Sequence, residues 1–461
     1  MNIQKNKKNN IFNNETALLI FWTLVLSTLN LNSAALNDFN TIYDKIDFKK
    51  FFTLINYAGY FLPFFLSPII VYNFYIIKKK NIFTLLYIFY GIWQLLVFIF
   101  LEKEINNNDN FRLIFNLLIV AVIFNIAENQ NYKNFYKKIL IITITFLSAI
   151  SIYFVFKLFH EYLSQNTMLY LYTSSTLEAE TKTALQANPR ITGISRMLLI
   201  LFYFIFFMRI KLKNSKIKNL LCMALLLFFS FTIYGMQSRG AILGLILIIL
   251  IYLFLIHEEI KKKIIMIFMI FILPLITWET IALYKVKNPV NDSSSSSSQY
   301  NRLANKPVVG EINDVSSGRT IIWKRALNII IEKKIIFGLG PQADRKYLVE
   351  ESIKNDKNKH FWQNNSSNAI LYAYLCGGVV GLIILFSIYF LIIKELYQAI
   401  IIKMSFVRGG QDVQFAVATL CYLVIRSLFE NSFALFSIDY VLCCLCYFIL
   451  KNNKLKNIST N

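Results

Sequence analysis

The chain is short of the residues that build loops and metal centres. Its 461 residues include only 7 prolines, 15 glycines, 6 cysteines and 3 histidines. The histidines, His160, His257 and His360, stand near neither a cysteine nor one another, so no metal-ligand spacing appears. The cysteines, Cys222, Cys376, Cys421, Cys443, Cys444 and Cys446, fall in apolar runs rather than outward loops and imply no disulfide framework. Acidic residues are scarce too, 26 against 48 Lys and Arg, for a formal net charge of +22. In a soluble protein that excess would suggest nucleic acid. Here the basic residues crowd into alternate short connections between apolar runs, which sets orientation in a membrane and leaves no nucleic-acid partner expected.

What the chain has in abundance is apolar surface: 56% of residues are hydrophobic and 16% aromatic, more than a soluble core of this size needs. Stretches of roughly 17 to 25 apolar residues, each enough to cross a hydrocarbon layer of about 30 Å as a helix, recur from end to end. They place spans near 15–36, 52–77, 82–101, 111–127, 138–159, 194–208, 219–236, 240–256, 264–284, 368–393, 412–428 and 433–450. The expected fold is therefore an all-α integral membrane protein of about twelve transmembrane helices. The first span is too long for a cleaved signal peptide and is expected to stay.

Lys78 to Lys80, Arg209 to Lys218, Lys261 to Lys263, Lys394 to Arg408 and the Lys451 to Lys456 tail all fall on one side, so both termini are expected in the cytoplasm. The chain then divides into spans one to nine (1–284), a large outward loop between spans nine and ten (285–367), and spans ten to twelve with a cytoplasmic tail (368–461). The large loop opens on NDSSSSSSQY, a serine run expected to be flexible. It continues as SSGRTIIWKRALNIIIEKKIIFGLGP, in which apolar residues at helical spacing follow Ser317 as cap and end at GLGP. This amphipathic helix, with Trp323 and a basic face, either lies along the outer membrane surface or packs within a small outward subdomain.

Three outward boundaries carry arginine beside glycine or serine: NPRITGISR, MQSRGAILG and SSGRTIIW. They give Arg190, Arg196, Arg239 and Arg319. A guanidinium stays charged at any relevant pH and offers two parallel hydrogen bonds to phosphate oxygens, so four of them together suggest a dianion or diphosphate. At the tenth span, NNSSNAILYAYLCGGVVGL puts polar residues where the chain enters the bilayer. Such residues are expected to rim a wet cavity or to cap the helix, and Gly377, Gly378 and Gly381 to admit a close neighbour, another helix or an isoprenoid chain. In the last hairpin, Arg426 and Asp439 stand at comparable depth on antiparallel spans, which fits a buried ion pair, with a role for Arg426 at the phosphate site as the alternative.

SRGAILGLILIILI, SGRTIIWKRALNIIIEKKIIFGLGP and SNAILYAYLCGGVVGL, in that order, resemble the O-antigen ligase and polymerase superfamily over about 190–390. The resemblance implies a metal-independent glycosyltransferase without cofactors, in the bacterial inner membrane with its active site on the periplasmic side. Its donor would be a glycan on undecaprenyl diphosphate and its acceptor a second glycan or lipid A-core, with membrane lipids and a chain-length regulator protein as further partners. It further implies that Arg239 and Arg319 hold the diphosphate. Ligases of the family carry a His-Asn pair where this chain has Ser367-Asn368. Serine cannot act as general base near neutral pH, which favours polymerisation of repeat units over ligation, with His360 seven residues upstream as a substitute base. The candidate catalytic set is Arg239, Arg319, Ser367, Asn368 and His360, and the candidate substrate contacts are Arg190, Arg196, Arg325, Trp323, Gly377 and Gly378. Glu311, Asp314, Asp344, Glu350 and Glu351 are the outward acids able to take a proton. A flippase for the same lipid-linked glycans is the rival class, but ionisable residues near the midplane are few and the long outward loop favours an enzyme.

Overall fold

The structure, a computed structural model, describes residues 68–101, 121–128, 135–165, 191–287, 319–355, 366–402, 410–433 and 438–459, apart from a few single positions. Regular structure among the described residues is helical. In chain order the helices are α1 (Ile82–Leu101), α2 (Phe135–Gln165), α3 (Ile191–Lys211), α4 (Lys216–Gly235), α5 (Arg239–Leu255), α6 (Ile260–Ile267), α7 (Leu273–Lys287), α8 (Arg319–Glu332), α9 (Ala343–Asn355), α10 (Ala369–Tyr397), α11 (Gln411–Ser427) and α12 (Ile438–Ser459). Among the described residues, three stretches are long and apolar enough to cross a membrane: Ile82–Phe100, Lys216–Gly235 and Ala369–Ile401. Arg239–Leu255 is apolar but shorter. The count of twelve spans thus rests on the sequence, and the first expected span lies outside the described residues.

These segments become helices because long runs of Leu, Ile and Phe leave no backbone donor or acceptor exposed to lipid when bonded within one helix. α1 illustrates it, with neither a charge nor a proline in IFTLLYIFYGIWQLLVFIFL. Where proline does intrude, the helix adapts. A π turn at Phe268–Ile272 joins α6 to α7 just before Pro274. The Pro274 ring would collide with the carbonyl four residues back, Ile270, and a widened turn relieves that collision.

The main core runs through the bundle. α3 packs against α2, α4, α5 and α11, and α11 against α12. Tyr447 of α12 stacks on Phe83 of α1 with ring centres 3.9 Å apart, and Phe448 stacks on Phe124 at 5.6 Å, offset stacking that adds to area burial. A second, smaller core forms outside it from Ile322, Ala326 and Ile329 of α8, Tyr347 and Leu348 of α9, and Tyr372 and Leu375 of α10. Burying an Ile or Leu side chain contributes about 1.5–3 kcal/mol, so this core is what holds the described part of the large loop against the tenth expected span. Of the two readings of the amphipathic helix, packing is therefore found on one face. The opposite face of α8 leaves Leu327 and Ile331 exposed.

α10 is one helix in extent but two in backbone. Gly378 sits at φ 63, ψ −154, outside helical space. The break is filled by the residues that follow α8. Leu339 N donates to Leu375 O at 2.8 Å, Gly340 N to Cys376 O at 3.0 Å, and Val379 N to Ile336 O at 2.9 Å. The Trp93 indole of α1 donates to Gly377 O at 2.8 Å. Carbonyls and amides that a broken helix would otherwise bury unpaired are thereby satisfied from the side. The two glycine motifs are a matched pair: a Cβ on Gly378 would lie 2.1 Å from Ile336 O, and one on Gly338 would lie 2.5 Å from Cys376 O.

Candidate functional site

The site is built at the N-terminus of α10. Asn368 is the N-cap, with extended backbone and a side-chain oxygen that accepts from Ile370 N at 2.8 Å and Leu371 N at 3.0 Å. This satisfies two of the orphan amides every helix start presents. The rest of Asn368 faces a different segment: its side-chain amide donates to Leu428 O at 2.8 Å, and its backbone N–H to Asn431 Oδ1 at 2.9 Å. The polar cluster is thus a cap and a tie at once, joining α10 to the turn after α11.

Ser366 completes the tie on the other side. Its backbone N–H donates to Asp344 Oδ2 at 2.9 Å. Its hydroxyl lies 3.2 Å from that same oxygen, 3.1 Å from Asn431 Oδ1 and 3.3 Å from Asn368 O. One hydroxyl proton serves one of these acceptors at a time. Asp344, in the first turn of α9, is 1% exposed, and Ser366 and Asn431 are its fully buried and half-buried neighbours. The carboxylate at a helix start is favoured by the aligned amide dipoles there.

Ser367, between two anchored residues, adopts φ 45, a left-handed conformation that costs a non-glycine residue about 1–2 kcal/mol. Strain of this kind persists where surrounding contacts over-determine the backbone, and it concentrates at functional sites. The Ser367 side chain is half-buried.

Arg319 reaches the same place from the start of α8. Its Nη2 donates to Glu430 Oε1 at 2.7 Å, with both side chains about a quarter exposed (25% and 26%). One turn along α8, Trp323 stacks on Phe429, with ring centres 6.5 Å apart. The Trp323 indole N–H is buried and finds no hydrogen-bond partner among the described residues. Four consecutive residues of one turn, Leu428 to Asn431, therefore receive Asn368, Trp323, Arg319 and Ser366. Of the candidate residues, the structure brings together Arg319, Trp323, Ser367 and Asn368.

The remaining candidates stand at other positions in the fold or outside the described residues. Arg239 opens α5 and is half-buried, as is Arg325 on α8. Gly377 and Gly378 lie at the break of α10, and the segment approaching them is 336–340 together with Trp93. Arg190 and His360 lie outside the described residues, as do Glu311, Asp314 and Ser317. Arg196 of α3 donates to Asp439 Oδ2 at 3.1 Å, and Arg426 of α11 donates to that same oxygen. The expected Arg426 and Asp439 pair is thus present as a triad, in which one carboxylate, 1% exposed, ties α3 and α11 to α12.

Sequence reading passed over Glu430 and Asn431. The available signal was their position: an acid and an amide in the short turn of LVIRSLFENSFALFSIDY, between a segment bearing Arg426 and one bearing Asp439.

Comparison with protein families bears on this arrangement. Residues 222–386 match the family model described as O-Antigen ligase. The chain carries an O-antigen ligase domain. No curated protein and no solved structure matches it. The O-antigen ligase domain runs from α4 to the middle of α10, so it includes Arg239, Arg319, Asp344, Ser366, Ser367, Asn368 and the paired glycine motifs. The turn that gathers Arg319, Ser366 and Asn368 lies beyond it, at 428–431. The match covers residues 222–386, a segment that holds, in part, two of the helices long and apolar enough to cross a membrane, Lys216–Gly235 and Ala369–Ile401.

Proposed function

We propose that the protein is a metal-independent membrane glycosyltransferase that polymerises undecaprenyl-diphosphate-linked repeat units of a surface polysaccharide at the periplasmic face of the inner membrane. The observation that carries this reading is Ser367, a strained residue without a basic side chain, beside Arg319 in an O-antigen ligase domain. Arg319 and Arg239 bind the donor diphosphate and stabilise the charge that grows on it as the glycosidic bond to phosphate breaks. Asn368 and the Ser366 to Ser367 turn line the acceptor side and hold the sugar hydroxyl for in-line attack at the anomeric carbon, with inversion following from the single displacement. The diphosphate is a good leaving group, so positioning and electrostatics supply most of the acceleration.

Ligation of the glycan to lipid A-core is the second reading, favoured by the description of the matched family. Deleting the gene in its own host and running the surface polysaccharide on a gel separates the two. A polymerase deletion leaves a single repeat on the lipid core and no ladder. A ligase deletion leaves no attached glycan while polymer accumulates on the carrier, and that result would replace the polymerase reading.

A further inference from the structure

Attack by a sugar hydroxyl requires somewhere for its proton to go, and the described acids differ sharply in their fitness for it. Asp344 is buried and engaged by Ser366 and Asn431. Asp439 is buried and shared between Arg196 and Arg426. Glu350 and Glu351 lie on α9 past its first turn, two turns along from Asp344. Glu430 alone among the described acids is part of that turn, partly open to solvent, and in contact with an arginine assigned to the diphosphate. The Asn431 side chain accepts from the backbone N–H of Asn368 and meets the Ser366 hydroxyl, so residue 430 is one peptide unit from the group that pins both neighbours of Ser367.

We propose that Glu430 is the proton acceptor for the incoming hydroxyl, and that Arg319 releases it by exchanging its carboxylate for the donor diphosphate. Arg319 Nη2 donates to Glu430 Oε1 at 2.7 Å. A diphosphate offers the same guanidinium a bidentate anion of higher charge, so donor binding draws Arg319 off the glutamate. Oε1 is then vacant for the hydroxyl of the acceptor. The hydroxyl oxygen bonds to the anomeric carbon as the bond from that carbon to the diphosphate oxygen breaks. The proton passes to Glu430, and the electron pair leaves on the diphosphate held by Arg319. Because the base is vacated only when donor is bound, the order of events is built into one ion pair. Arg426, the arginine of this hairpin itself, is already committed to Asp439.

This role rests on the glycosyl-transfer reading of the site. The test uses the full chain in lipid vesicles with lipid-linked repeat unit as donor and acceptor. Glu430→Gln keeps shape and a carbonyl that accepts from Arg319 but takes no proton. It should lose about 100-fold in kcat, the scale of a removed general base, with the donor KM unchanged or lower because a competing anion is gone. Glu430→Ala should be as slow, and added formate should raise its rate at least tenfold by entering the vacated space as a proton acceptor. A Glu430→Gln protein that keeps more than a tenth of wild-type kcat would overturn the proposal, as would a Glu430→Ala protein that formate leaves unchanged while its melting temperature matches wild type. If Glu430 only held Arg319 in place, the donor KM would rise and formate would do nothing. A wild-type protein that moves no glycan would overturn the glycosyl-transfer reading itself, and with it this role.

Discussion

Replacing Gly378 by alanine should open the seam between the broken helix and the loop that fills it. Gly378 has φ 63 and ψ −154, a region open essentially to glycine alone, and forcing alanine into it costs about 1–3 kcal/mol. The new Cβ would also lie 2.1 Å from Ile336 O and 2.4 Å from Phe337 C. Those are backbone atoms, so no side chain can rotate aside. Relief requires moving residues 336–340 outward, which breaks the bonds Val379 N to Ile336 O, Leu339 N to Leu375 O and Gly340 N to Cys376 O. At about 0.5–1.5 kcal/mol each, these bring the expected loss to roughly 3–7 kcal/mol. The assay is thermal unfolding of the purified protein in detergent, read from the fraction that survives size-exclusion after heating. Two glycines serve as controls: Gly377, where a Cβ makes ordinary contact with the Tyr90 ring at 3.4 Å and the Trp93 ring at 3.8 Å, and Gly240, where nothing lies within 4 Å. Gly338→Ala should resemble Gly378→Ala, and the double variant should lose less than the sum, since either change alone parts the same seam. A Gly378→Ala protein that unfolds within about 2 °C of wild type would refute this account of the paired motifs.

Arg239→Ala and Arg319→Ala should each abolish or severely reduce glycan transfer at near wild-type protein level, and lysine should restore little because it lacks the planar fork; full activity in both alanine variants removes the diphosphate clamp. Asp439→Asn strands two buried guanidiniums and should destabilise by about 3–5 kcal/mol, measured in the same unfolding assay, whereas an unchanged stability would mean the triad is hydrated. Ser367→Ala should cost transfer no more than the ~0.5–1.5 kcal/mol of one hydrogen bond, and Asn368→Ala more, because a helix cap and the link to the 428–431 turn are lost together. A dead His360→Ala enzyme beside an active Ser367→Ala enzyme would restore histidine-assisted ligation. A reporter fused after Ser296 should be active only in the periplasm, and cytoplasmic activity would reverse the topology.

Much of the fold was legible because apolar runs and helix signals are local. α1 matches the expected 82–101 at both ends, and α3, α4, α5, α10 and α11 contain or nearly coincide with the runs expected there. The Arg426 and Asp439 pair was legible from depth along two antiparallel spans, but the arrival of Arg196 was not, since no sequence period relates α3 to the last hairpin. The glycine motifs show the same boundary. GGVVG announces a close approach in the sequence and GLGP a helix stop, yet nothing local says that each is the other's partner, because the pairing is set by how the segment after α8 returns to α10. Length and apolarity also read differently in three dimensions. Among the described residues, only three stretches are both long and apolar enough for a full crossing, and Arg239–Leu255 is apolar but shorter.

The polar cluster before α10 is the sharpest case of a local signal with a distant cause. Asn368 reads as an N-cap from its type and position, and it is one. The conformation of Ser367 does not follow from capping. Ser366 is fixed through Asp344 on α9, and Asn368 through Asn431 and Leu428 after α11, so both flanks of Ser367 are set by elements far along the chain. The single residue between them absorbs the mismatch by turning left-handed, at a cost that a glycine would avoid. A side chain held this way has its direction dictated by three helices instead of by its own rotamer preference. The position therefore presents a hydroxyl on a backbone fixed from both sides, through Ser366 to α9 and through Asn368 to the turn after α11.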